Sequence, residues 1–120
     1  MSAAPHVAAF CKDVAKNKEI WTIQFSDESY IKWENSEGRD VFPVWSTKSR
    51  VKKILSYEEE FEGAVPVCFS LDEFISDWMP TLLENTTGLG PNWAGENLMG
   101  WEMGAQEVID RILKQPEINL

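Results

Sequence analysis

Histidine and cysteine are scarce in this chain: His6 is the one histidine, and Cys11 and Cys68 are the two cysteines among 120 residues. A Ser-His or Cys-His catalytic arrangement would have to use His6, which lies beside Pro5 close to the start, where chains are least ordered. Zinc coordination needs several Cys or His at close spacing, and one His with two distant Cys does not supply it. No catalytic residue, metal site or cofactor is therefore expected, and the balance is against an enzyme. Long apolar runs are missing as well. The run near the start, Val7 to Cys11, is shorter than a signal-peptide core and follows no basic residue, and nothing approaches a transmembrane span. The expectation is a cytoplasmic protein without membrane contact, in which both thiols stay reduced and pack as small hydrophobes.

Positive charge is the third shortage. Acids outnumber bases 20 to 11, for a formal net charge of -9. No Lys or Arg stands between Lys53 and Arg111, whereas twelve acids do, from Glu58 to Asp110. Residues 1–60 hold ten acids against nine bases, and residues 61–120 hold ten acids against two. Affinity for a phosphate backbone comes from Lys and Arg, so nucleic acid is excluded as a partner and a protein with a basic surface is favoured. Gly (7) and Pro (6) are too few, and hydrophobic residues at 43% too many, for a disordered or collagenous chain. One domain over residues 1–120 is the expected organisation, burying roughly two thirds of its unfolded surface.

What is present is patterned. Val7, Phe10, Cys11 and Val14 repeat at helical spacing with Lys12, Asp13 and Lys16 opposite, which predicts an amphipathic helix over 6–17. Trp21 to Phe25 alternates as a half-buried strand; Tyr30 to Glu34 and Val41 to Trp45 give two more, separated by turns at Ser26–Ser29 and Asn35–Gly38. Such short turns demand antiparallel pairing, so the three runs form a meander. Pro43 cannot donate to a ladder, which points to an edge or a strand end. Ser46 or Thr47 caps a short helix burying Val51, Ile54 and Leu55.

Beyond an acidic connector at Glu58–Glu62, the apolar stretch Ala64 to Phe69 reads as a more central strand. Ser70-Leu71-Asp72-Glu73 is a capping box opening a helix with Phe74, Ile75, Trp78 and Met79, and Pro80 predicts a kink or a new turn. Thr86 to Asn97, punctuated by Gly88, Gly90, Pro91 and Gly95, reads as an irregular connection of the kind that often carries function. Leu98 to Trp101 is expected as a short strand, and a last helix runs from about Glu102 to Gln115. The class is α+β: an antiparallel meander of about three strands plus one or two further short strands, packed with about four helices.

Tryptophan, six in 120 residues, is the one abundant oddity. Trp21, Trp33 and Trp45 fall on strands and Trp78 on a helix, positions that suit a core. Trp93 sits in the Gly/Pro-punctuated segment, where a large ring either plugs the loop onto the core, the simpler reading, or projects as an anchor. Trp93, Glu96, Trp101 and Glu102 form the candidate binding surface, because aromatic faces beside negative charge suit a cationic ligand or an Arg/Lys-rich protein. The alternative is a small enzyme or ligand-binding domain with a pocket lined by Trp33, Trp45 and Trp78 and a carboxylate from Asp72 or Asp77. Those two acids also have a structural reason to be there, since a helix N-terminus favours negative charge. Glu58–Glu62 lacks the Asp/Asn and Gly spacing of a calcium loop, and Gly88-Leu89-Gly90 lacks the Lys of a phosphate loop.

Three stretches share a further likeness: Glu19-Ile20-Trp21, Phe42-Pro43-Val44-Trp45-Ser46, and Leu71-Asp72-Glu73-Phe74 followed by Asp77-Trp78-Met79-Pro80. In order and spacing they resemble the bacterial domain-of-unknown-function family 2750, over roughly residues 6–115, with Leu89 to Trp101 departing most from its pattern. The resemblance implies a small single-domain α+β protein of the bacterial cytoplasm and brings no activity, cofactor or site residue with it. The favoured reading is a non-enzymatic, acidic binding module for a basic or cationic partner, an immunity-type inhibitor of a basic toxin being one instance. A self-associating structural subunit is a third reading, and the oligomeric state stays open.

Overall fold

Apolar residues at helical spacing wind into α1 (Ala4–Asn17), in which Val7, Phe10, Cys11, Val14 and Ala15 are buried. The computed structural model describes residues 4–57, 61–95 and 100–119. After α1, the alternating stretch forms β1 (Glu19–Gln24), followed by a two-residue β2 (Trp33–Glu34) and by β3 (Asp40–Val44). These strands lie antiparallel in sequence order, as the short turns require, but their ladders are unequal. β2 pairs with β3, whereas β1 meets the chain ahead of β2 only through an isolated bridge between Gln24 and Tyr30, and meets the residue after β3 through a bridge between Trp21 and Trp45. The regular ladder of β1 is made instead with β4 (Val65–Ser70), from Glu19 opposite Ser70 to Gln24 opposite Val65.

β4 is thus paired on one side only, and Val65 is 50% exposed, where the apolar run suggested a central strand. The edge position suits Pro66, which has no amide to offer a second neighbour. Cys68, expected in the core, is exposed on this edge, while Cys11 is buried in α1.

The central role falls to residues with no strand signature. Gly88–Pro91 is β5, buried throughout and parallel to β3, Val41 opposite Gly88 and Val44 opposite Pro91. A parallel pair needs a long crossover, and the chain between β3 and β5 provides it with α2 (Lys48–Leu55), β4 and a helical run. β6 (Met103–Gly104) pairs antiparallel with β5, completing the order β2-β3-β5-β6. The expected strand at Leu98 to Trp101 is displaced to β6; Leu98 and Met99 lie outside the described residues, and Gly100 and Trp101 carry no ladder. Pro43 therefore sits on an inner strand. Within a strand the N–H and C=O of one residue point the same way, and the Pro43 carbonyl accepts the buried Thr22 hydroxyl at 2.9 Å. Its missing donor faces β1, where only one bridge joins the strands, and β5 loses nothing.

Alternation along β3 divides the interior. Val41 and Trp45 face a cluster with Ile23, Ile31, Val51, Ile54 and Trp93. Phe42 and Val44 face the larger cluster built from α1, the helical run and α5 (Ala105–Leu113). The helical run consists of α3 (Leu71–Glu73), a π turn at Phe74–Trp78 and α4 (Met79–Glu84). Pro80 lies in the first turn of α4, the new turn expected there. Proline lacks an amide and its ring crowds the carbonyl four residues back; the π turn, in which the Met79 amide donates to Phe74 five residues back, widens the helix ahead of it.

Two caps match expectation. Thr47 accepts the Arg50 amide at the start of α2, and Ser70 Oγ accepts the Glu73 amide at 3.1 Å at the start of α3. The Glu73 carboxylate makes no return bond among the described residues, so the box is half formed. Ser70→Ala should cost about 1 kcal/mol in urea unfolding; an unchanged midpoint would show that this hydroxyl does not hold the helix start.

Candidate functional site

The residues after β5 are held by polar groups. Asn92 has φ of 53°, a left-handed conformation that Asn tolerates better than most residues. Its amide donates to the Val44 carbonyl at 2.8 Å, and its Oδ1 accepts the Ser46 amide at 2.9 Å. Its Nδ2 donates to Ser46 Oγ at 3.1 Å and to the His6 carbonyl at 3.3 Å, and Ser46 Oγ donates onward to Asp13 at 2.9 Å. Ser46 is thus no helix cap; it is a buried link between α1, the end of β3 and the end of β5.

Trp93 follows directly and is 6% exposed, the core plug of the simpler reading. Its carbonyl accepts Trp45 Nε1 at 2.8 Å, and its own Nε1 donates to the Trp101 carbonyl at 2.9 Å. The ring is seated against backbone: a Cβ added at Gly90 or at Gly100 would fall within the space of the indole. Glycine at these two positions therefore serves close approach, which is why the segment looked irregular in sequence.

Two further tryptophans adjoin this plug at the surface, Trp33 through its ring and Trp101 through its carbonyl. Trp33 meets Trp93 edge to face at 6.2 Å and 84°, and is 47% exposed; Trp101 is 46% exposed. Glu102, also exposed, accepts Asn35 Nδ2 at 2.8 Å, and Asn35 Oδ1 in turn accepts the amides of Glu37 and Arg39. Of the expected surface, Trp93, Trp101 and Glu102 come together and Glu96 lies outside the described residues. Trp33, assigned from sequence to the alternative pocket, joins them.

That alternative pocket is not formed. Trp45 is buried on the Trp93 side of β3, whereas Trp78 packs on the other side against Phe42 at 5.2 Å, Tyr30 at 4.9 Å and Phe69 at 4.8 Å. The strand between them keeps the rings from lining one cavity, and Asp72 and Asp77 are exposed at the helix start. Asp72 lies in the first turn of α3, the place where the helix dipole favours it. Sequence reasoning missed the cavity of about 360 Å³ that Trp93 shares with α2 and His6. Arg50, Lys53, Ile54 and Tyr57, spaced i, i+3, i+4, i+7, were its available signal.

Neither thiol is set up as a nucleophile. Burial pushes Cys11 up from the ordinary thiol range. For Cys68, desolvation, then the hydrogen bond to Glu19 and the charges of Glu19 and Glu73, push the thiol up to about 11. Among the described residues no three His, Cys, Asp or Glu side chains come together as a metal set, and no helix is long and apolar enough to cross a membrane.

The family model described as "Protein of unknown function (DUF2750)" matches residues 7–112. No curated protein matches the chain. A solved structure, Anabaena Tic22, described by the words protein transport, is similar at 17% identity with a TM-score of 0.45. The match covers 82% of this chain and 42% of that one, so the chain spans about two fifths of its length. At that score the likeness carries no functional argument.

Gly90→Ala should destabilise the fold by roughly 1–3 kcal/mol through overpacking against Trp93, read by urea unfolding with tryptophan fluorescence; a loss under about 0.5 kcal/mol would contradict a tight seat for the ring on Gly90. Alkylation of Cys68 should be slow at neutral pH despite its exposure and accelerate as pH rises toward about 11. Glu19→Gln should speed it several-fold by removing the charge and weakening the acceptor, and an unchanged rate would leave desolvation as the whole cause.

Proposed function

The chain belongs to the DUF2750 family, and we propose that it acts there as a non-enzymatic binding module for a protein with a basic surface, in the bacterial cytoplasm. Trp33 and Trp101 are the anchors, with Glu102 beside them. The observation that supports this reading is the pair of half-exposed indoles on adjoining segments, braced by Trp93 behind and by the Asn35–Glu102 hydrogen bond between them. Large exposed rings are costly to leave in water, and aromatic anchors in a rigid frame are what dominate binding energy at protein interfaces. Glu34, Glu37 and Glu102 are exposed on the same segments, and the nearby Lys32 is already paired with Asp40 at 3.4 Å.

The mechanism has two stages. Excess negative charge steers a basic surface toward the module and penalises acidic competitors. On contact, Arg or Lys side chains stack on the indole faces, at about 0.5–1 kcal/mol for an exposed site and about 2 or more once desolvated. Inhibition of a basic toxin by an immunity-type protein is one use of such a surface, since covering the basic face blocks its own target.

Affinity capture with the wild-type chain at about 50 mM and then about 500 mM salt should retain a basic protein at low salt and release it at high salt. Trp101→Ala, and separately Trp33→Ala, should weaken capture about tenfold or more, the effect of losing an anchor. A captured partner indifferent to salt and to both substitutions would end the proposal.

A further inference from the structure

We propose that the cavity between α2 and residues 93–95 binds a small organic anion, a carboxylate or phosphate carried on an aromatic body. It measures about 360 Å³, inside the roughly 300–1,000 Å³ range of small-molecule sites. One wall is a single face of α2 and the residues just after it, presenting Arg50, Lys53 and Tyr57 over buried Ile54. His6 contributes from the first turns of α1, and Trp93, Ala94 and Gly95 form the opposite wall.

The charge of this lining is the reverse of the chain's. Among the described residues two cations, Arg50 and Lys53, together with His6 and no carboxylate, line it, in a protein of 20 acids and 11 Lys and Arg. α2 holds four of those bases, Lys48, Arg50, Lys52 and Lys53, and no acid. Among the described residues the ion pairs are Lys32 with Asp40 and Arg111 with Glu107, and no described carboxylate lies within 4 Å of the Arg50 or Lys53 charge. A guanidinium and an ammonium converging on one space suit an oxyanion, the planar Arg fork taking two of its oxygens. The apolar part of the lining, Ile54, Tyr57 and the Trp93 ring, suits a flat body attached to that anion.

The site is also prepared in advance. Trp93 is fixed by its two hydrogen bonds and its seat on Gly90, and the start of α2 is capped by Thr47. Little ordering then opposes binding. Another cavity, about 180 Å³ beside Tyr30 and Trp78, has its one cation, Lys32, paired with Asp40, and offers no comparable charge. The anion site is independent of the proposed partner surface: it has the opposite sign and uses Trp93 from within, whereas Trp33 and Trp101 face solvent.

The test titrates the full chain with phenyl phosphate and with benzoate, following backbone and indole N–H signals by NMR. At least one of the two should produce saturable shifts at Ile54, Tyr57, Ala94 and the Trp93 indole. Benzyl alcohol, the body without charge, should bind about tenfold or more weakly. Arg50→Gln and Lys53→Gln should each weaken binding about tenfold, the scale of one charged hydrogen bond, while Lys16→Gln on the exposed face of α1 leaves it unchanged. Lys53 is exposed and Arg50 half-buried on α2, and near-ultraviolet circular dichroism checks that each variant keeps its packing. Absence of saturable shifts with both anions up to about 10 mM, equal binding of benzyl alcohol, or undiminished binding in the Arg50→Gln/Lys53→Gln double variant would each overturn the proposal.

Discussion

Asn92 and Ser46 exchange hydrogen bonds in the interior, and the arrangement of both candidate sites depends on that exchange. β5 is Gly-Leu-Gly-Pro, so apart from Leu89 and the proline ring it brings almost no side chain to either core. Its place beside β3 rests on backbone pairing and on what holds its end. Asn92 supplies that end: it reaches the Val44 carbonyl, both polar groups of Ser46 and the first turns of α1. Every group in this knot is buried or partly buried and partnered, the condition under which a polar network confers one arrangement rather than several. Trp93 is placed by the next peptide, and through it Trp33, Trp101 and the wall of the α2 cavity.

Charge in this protein is distributed against its own average. The net value of -9 describes a field that draws cations, yet α2 carries a concentrated positive face. At physiological ionic strength charges beyond about 8 Å are strongly screened, so a ligand entering the cavity responds to Arg50 and Lys53 rather than to distant acids. A large partner, by contrast, averages over many charges and meets an acidic surface. One ring, Trp93, separates these regimes, with the cations of α2 on one side and Trp33 on the other.

Much of the fold was legible because periodicity reports burial. α1, the strands at residues 19–24 and 40–44, α2 and α5 each carry their spacing in the side chains, and Ser70 and Thr47 announce the caps. Trp93 was legible as a plug, since a large ring among Gly and Pro has few other uses. β5 was not, because a strand of small residues has no alternation to read; its one clue was the Gly88-x-Gly90 spacing of two, which marks backbone approached closely on one face. The π turn ahead of Pro80 escaped for a related reason: it is a change of hydrogen-bond partner and leaves no periodic trace over five residues.

The sequence alone determined the α+β class, the acidic balance, the want of a histidine or cysteine constellation, and the family likeness over most of the chain, all of which depend on composition or local spacing. Tertiary structure decided which rings share a surface. Trp33 and Trp93 are sixty positions apart in the chain, and the alternation of β3 turns Trp45 to one core while Trp78 packs from the helical run on the other. The α2 cavity likewise draws on residue 6, residues 50–57 and residues 93–95. Contacts of that range are set by how β3 and β5 pair in parallel, and hydrogen-bond pairing between distant backbones is the one kind of information that side-chain patterns do not carry.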